Sequence, residues 1–98
     1  MFAIGDRKWS GISKLAEEAG EVLQVLGKLI GARGSVEHWD GTNLRVRLHH
    51  ELADLLAAID FVVQVNNLDV SEIEHRRRRK LELFYQWHRQ GDPEPEGG

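Results

Sequence analysis

The chain contains no cysteine. That excludes a disulfide framework and thiolate chemistry, and it suits a reducing compartment, so a cytoplasmic location is expected. Nowhere does the sequence approach the roughly 20 uninterrupted apolar residues that a membrane span needs. The opening residues, MFAIGDRKW, lack the long apolar run of a signal peptide. No strong excess of one charge is present either. The net charge is -3, which counts against binding polyanions through the protein as a whole. There are no internal repeats. What remains is 98 residues, 41% of them hydrophobic, enough for one small domain. That domain is expected over residues 1–90. Residues 91–98 (GDPEPEGG) read as a short acidic tail without fixed structure.

The apolar pattern predicts an all-α chain. Ile12, Leu15, Ala16, Ala19, Val22, Leu23, Leu26, Leu29 and Ile30 follow helical period. Ser10 or Ser13 can cap that helix, and Gly31 and Gly34 end it. Residues 31–43 read as a loop. Its Trp39 is either a lid over the core or a surface on which a flat ligand stacks. Thr42 or Asn43 can cap a second helix that runs to about Val65, and its second half is apolar on almost every side. A helix of that kind is packed on both sides. The expected fold is therefore three main helices forming a bundle that oligomerisation completes. After a turn over residues 66–69, Asp69 or Ser71 caps a third helix, from about Val70 to His88. Its apolar side carries Val70, Ile73, Leu81, Phe84 and Trp87. Arg76, Arg77 and Lys80 project near that side, with Arg78 and Arg79 further out.

The chemistry is carried by acids set into these apolar helices. Glu51 and Asp54 lie one turn apart in the second helix, and at about 100° per residue both fall on apolar-flanked positions. Burying two like charges this way is costly unless they are protonated, paired with a base or holding a cation. A second acidic cluster, Glu17, Glu18 and Glu21, lies in the first helix. Glu18 with Glu21, facing Glu51 with Asp54, would give four hard oxygen ligands around one pocket. That suits Mg²⁺, and no His or Cys stands at comparable spacing to favour zinc. Arg76 and Lys80, four residues apart, share a face of the third helix and suit a polyphosphate. A spare carboxylate, Glu17 or Glu21, could take a proton from attacking water. The structural alternative stays open: acidic pairs on helices are common as solvated faces, and Glu51 and Asp54 could instead be neutralised by arginines of the third helix. Residues 76–80 (RRRRK) could also form a nucleic-acid patch. A helix scatters five successive residues around its axis, however, and Glu72, Glu74 and Glu82 flank them.

The ordered segments KLAEEAGEV, HELADLLAAI and IEHRRRRKLELFYQW resemble the MazG-like all-α nucleotide pyrophosphohydrolase superfamily, which includes all-α dUTPases and phosphoribosyl-ATP pyrophosphohydrolases. The shared pattern is EExxE followed on the next helix by ExxD, here Glu17, Glu18 and Glu21, then Glu51 and Asp54. It covers roughly residues 10–88. The spacing of Ile73, Arg76, Lys80, Phe84 and Trp87 also looks like that of small phage-encoded members. The resemblance implies hydrolysis of nucleoside triphosphates between the α and β phosphates, giving the monophosphate and pyrophosphate. It implies Mg²⁺, with Mn²⁺ as the alternative, and assembly as a homodimer or homotetramer. Carried over by position, Glu18, Glu21, Glu51 and Asp54 would be metal ligands, Glu17 an accessory carboxylate, and Arg76 and Lys80 phosphate-binding residues. Many relatives have a further helix ahead of the first acidic one that contributes to the base pocket. That segment is very short here, so Trp39 is the candidate in its place. The rival readings are a same-fold hydrolase acting on phosphoribosyl-ATP or dUTP, and a non-catalytic helical oligomerisation module that binds nucleotide or metal.

Overall fold

A computed structural model describes residues 9–36 and 43–91. Every regular element among them is an α-helix: α1 (Ile12–Gly31), α2 (Leu44–Val65) and α3 (Val70–Arg89). The all-helical expectation and the element order therefore hold. Trp39 and the acidic tail beyond Gly91 lie outside the described residues. No helix among those described is long and apolar enough to cross a membrane.

The chain divides into two compact units, residues 1–68 and 69–98. In the first, α1 and α2 pack together as an antiparallel helical hairpin. Each end of the hairpin is tied. At one end the Leu44 amide donates to the Val36 carbonyl at 2.6 Å. At the other, Asn66 clasps Ser10: its Oδ1 accepts from the Ser10 amide at 3.1 Å, and its Nδ2 donates to the Ser10 carbonyl at 2.8 Å. The same Nδ2 lies 2.8 Å from the Val62 carbonyl, so one amide side chain satisfies the end of α2 and fixes the approach to α1.

The helix ends follow local chemistry. Asn43 caps α2, its side chain accepting from the Val46 amide at 3.1 Å. Asp69 caps α3 through the Glu72 amide at 3.0 Å. Asn67 adopts φ 55 just past α2, and the Leu68 amide returns to the Val63 carbonyl at 3.0 Å, the left-handed closure that asparagine tolerates. The start of α1 differs from expectation. Neither Ser10 nor Ser13 caps it. Gly11 occupies the cap position at φ 82 with no side-chain cap bond. The reason is space: a Cβ on Gly11 would meet the Phe61 ring at 2.8 Å and Val62 Cγ2 at 3.2 Å. The left-handed φ and the close approach to α2 both require glycine here. At the other end of α1, Gly31 is its last helical residue and Gly34 takes φ 84, donating to the Leu29 carbonyl at 2.8 Å.

Among the described residues the buried apolar ones are few: Val22 and Val25 of α1, and Leu44, Ala58 and Val62 of α2. Much of the apolar pattern faces outward in the single chain. Leu23, Leu26 and Ile30 of α1, Leu52, Leu56 and Ile59 of α2, and Ile73, Leu81, Phe84 and Trp87 of α3 are all exposed, and α3 has no buried residue. The apolar stripe of α1 is thus wider than the face that α2 covers.

Two substitutions separate these local demands. Gly11→Ala should destabilise the protein by about 1–3 kcal/mol, the cost of forcing a non-glycine residue into this conformation. Gly27→Ala, at an exposed helical position with open space around it, should stabilise by up to about 1 kcal/mol through helix propensity. Denaturant unfolding of both variants checks the pair, and equal responses would mean that the Gly11 contact with α2 is not made in solution.

Candidate metal centre

The hairpin brings one carboxylate of α1 against two of α2. Glu18, Glu51 and Asp54 each present an oxygen, and these lie within 4.8 Å of one another. Glu51 and Asp54 converge because they are three residues apart on α2. Glu18 meets them from the facing helix, and the buried Ala58 lines the same cleft as Glu18 and Asp54. The Glu18 and Glu51 side chains are largely covered, at 14% and 15% exposure. Asp54 is exposed, and no charged residue among those described is fully buried. Of the two acids read on apolar-flanked positions of α2, Glu51 is largely covered and Asp54 is not: the cluster sits at the rim of the helix pair, where water reduces the cost of charge. Beside it opens a shallow cleft of about 240 Å³, lined by Lys14, Glu18, Asp54, Ala57, Ala58 and Phe61.

Two basic residues stand at the flanks. Lys14 Nζ lies 3.3 Å from Glu17 and 3.4 Å from Glu18, contacts that raise its pKa, chiefly through the hydrogen bond to Glu17. Arg47 lies across the helix interface, 3.5 Å from Glu21 and 3.6 Å from Glu51, with Gln24 Oε1 also at 3.5 Å. Arg47 supplies the basic partner of Glu51 from one turn earlier on its own helix. Neither Lys14 nor Arg47 figured among the expected site residues. Their signal was present as spacing, since each stands four residues ahead of a cluster carboxylate, the helical interval at which opposite charges meet.

Of the acids expected at the site, the structure brings Glu18, Glu51 and Asp54 together. Glu21 is not in that group of three, and its carboxylate is turned to Arg47. Glu17 is on the outer side of α1, its side chain 62% exposed and paired with Lys14.

Arg76 and Lys80 belong to the second unit. They line one strip of α3 with Glu72, His75 and Arg79. Neither they nor Arg79 makes an ion pair with any described residue. Arg77 and Arg78, by contrast, converge on Glu74: Arg77 Nε donates at 2.9 Å and Arg78 Nε at 3.1 Å. The basic run therefore splits into a strip of three free cations and a neutralised pair. This differs from the sequence reading, which placed Arg77 beside Arg76 and Arg79 outward. The Glu74 acceptor draws Arg77 back to its own side of the helix.

No family model, curated protein or solved structure matches this chain. The site therefore rests on its own geometry.

The hydrogen bond from Arg77 lowers the pKa of Glu74 from the usual 4.5 to about 2. A depressed carboxylate stabilises the fold in full above its unfolded pKa, and that contribution fades as pH falls through the folded value. The Glu74 carboxyl carbon should accordingly titrate near pH 2 by NMR in the wild type and return toward 4.5 in Arg77→Gln. Titration near 4.5 in the wild type would mean that the pair is absent in solution.

Proposed function

We propose that the chain is a Mg²⁺-dependent nucleoside triphosphate pyrophosphohydrolase. The observation that carries this reading is the convergence of Glu18, Glu51 and Asp54 oxygens within 4.8 Å of one another across two helices. The donor set fits the ion: three hard carboxylate oxygens, without nitrogen or sulfur in the group, suit Mg²⁺ or Mn²⁺ and not zinc. Partial exposure of the cluster suits an ion that keeps waters and shares its shell with phosphate oxygens.

Glu18, Glu51 and Asp54 hold the cation. When bound, it supplies charge neutralisation on the phosphates and a lowered pKa for attacking water. Glu21, whose carboxylate shares Arg47 with Glu51, is the candidate proton acceptor. Glu17, exposed and held by Lys14, is the accessory one. Arg76 and Lys80, on a strip of α3 where neither makes an ion pair with any described residue, are the phosphate-binding candidates that the resemblance implies. The reaction is water attack between the α and β phosphates, releasing monophosphate and pyrophosphate, in the service of nucleotide house-cleaning or pool control in the cytoplasm.

The active form is a homo-oligomer, dimer or tetramer. A fully buried Val or Leu side chain contributes roughly 1.5–3 kcal/mol, and ordering the backbone costs about 1–2 kcal/mol per residue. The five buried apolar positions among the described residues are little to set against three helices of 20, 22 and 20 residues. The exposed apolar rows on all three helices supply the missing burial once chains associate.

A second reading is favoured by the ion pairs. Lys14 and Arg47 already neutralise part of the cluster, as they would in a non-catalytic helical module whose acids serve only to align two helices.

The test is pyrophosphate release from a panel of canonical and modified nucleoside triphosphates, with Mg²⁺ and with chelator. Metal-dependent release is expected from one or a few of them. Asp54→Asn should lower it by at least about 10²-fold, the scale on which one preorganised electrostatic group acts. The same change should leave the thermal midpoint unchanged or raised, because it relieves like-charge repulsion. Silence across the panel together with a lowered midpoint in Asp54→Asn would favour the structural module.

A further inference from the structure

Among the described residues, Arg47 is the one cation that contacts carboxylates of both α1 and α2. Its guanidinium lies between Glu21 of α1 and Glu51 of α2, at 3.5 and 3.6 Å, with Gln24 at 3.5 Å. All three contacts are long. A settled charge-assisted bond is shorter, and this chain makes one in Arg77 Nε to Glu74 at 2.9 Å. Arg47 is also well covered, at 26% side-chain exposure, so it is not an ordinary surface arginine waving in solvent. A part-covered guanidinium spread over three oxygens, each contact at 3.5 Å or longer, is a counter-charge that can be displaced. Among the described residues, Lys14, the other flanking cation, makes ion pairs within its own helix only.

We infer that Arg47 is a positioning residue that acts as the resident counter-cation of the acidic cluster, holding Glu51 and Glu21 until a divalent cation competes for Glu51. The inference rests on the metal-binding reading of Glu18, Glu51 and Asp54. It has two consequences. Without metal, Arg47 keeps like charges on facing helices from pushing α1 and α2 apart. With metal, the same positive charge opposes the incoming ion, so the cluster alone binds divalent cations weakly. Tight loading then requires a ligand that brings negative charge of its own, which a triphosphate does. The geometry thus links metal retention to the presence of an anionic substrate. On release from Glu51, the guanidinium can stay with Glu21 or turn to the arriving anion.

The test is Mn²⁺ binding to the full-length chain without nucleotide, read from the free-ion electron paramagnetic resonance signal. Arg47→Gln should bind Mn²⁺ about tenfold tighter than wild type, an effect equivalent to about 1.4 kcal/mol of repulsion removed. Its thermal midpoint without metal should fall. Arg47→Lys, which keeps the charge, should return the affinity to near the wild-type value. Equal or weaker affinity in Arg47→Gln overturns the inference. So that nothing depends on a variant that folds poorly, the wild type is also titrated with Mg²⁺ while the Arg47 side-chain Nε–H is followed by NMR. A shift that saturates with the ion supports displacement, and a stationary signal overturns it. Asp54→Asn separates the two levels. If it abolishes Mn²⁺ binding while Arg47→Gln leaves affinity unchanged, only the role of Arg47 fails. If Mn²⁺ binds equally well to Asp54→Asn, or does not bind the wild type at all, the metal-centre reading fails and takes the inference with it.

Discussion

The close approach of α1 to α2 is the constraint on which everything at the site depends. Three carboxylates do not gather unaided, because their mutual repulsion favours separation. They converge here because the hairpin is closed at both ends and its contact face uses small residues. Gly11 lets the start of α1 lie against Phe61 and Val62, and the Asn66 amide locks Ser10 beside the end of α2, with Glu18 facing Glu51 and Asp54 across the pair. The buried apolar set is centred on this contact. The backbone clasp and the few buried methyl groups therefore bear the electrostatic cost of the cluster, and Lys14 and Arg47 offset part of it.

That division of labour explains which parts of the molecule could be read from its sequence. Helix positions came from apolar period, which is strong over α1 and α2. The caps at Asn43 and Asp69 were legible because their side chains act within three residues. The cap of α1 was not. Gly11 is dictated by Phe61 and Val62, fifty residues further on, and no local pattern encodes that approach. Glu18, Glu51 and Asp54 emerged as a group because each lies on a face that periodicity defines. Glu21 followed the same spacing rule, but its orientation depends on Arg47, a residue of the other helix, so spacing within α1 could not place it.

The charge pattern of α3 teaches the same lesson. Five consecutive basic residues look uniform in sequence. One acid, Glu74, sorts them, drawing Arg77 and Arg78 to itself and leaving Arg76, Arg79 and Lys80 as a strip. Helical spacing fixes which residues share a side, but partner choice among several arginines within reach of one carboxylate is settled by side-chain geometry. The result is a face with three cations that make no ion pair with any described residue, although Glu72 and Glu82 line the same strip, on a helix that also carries a row of exposed apolar residues.

The acids and the exposed apolar rows bear on each other. A hairpin with five buried apolar residues among those described has little stability to spare, and a cluster of like charges at its rim draws on that margin. A neutral structural module would gain by replacing Asp54 with an apolar or amide residue, since Glu51 already has Arg47 and Glu18 already has Lys14. Asp54 makes no ion pair with any described residue, so within this hairpin it adds negative charge without a compensating contact. Its position beside two carboxylates is costly to the fold and useful to a cation. That asymmetry is the physical reason to favour a metal centre over an ion-pair network.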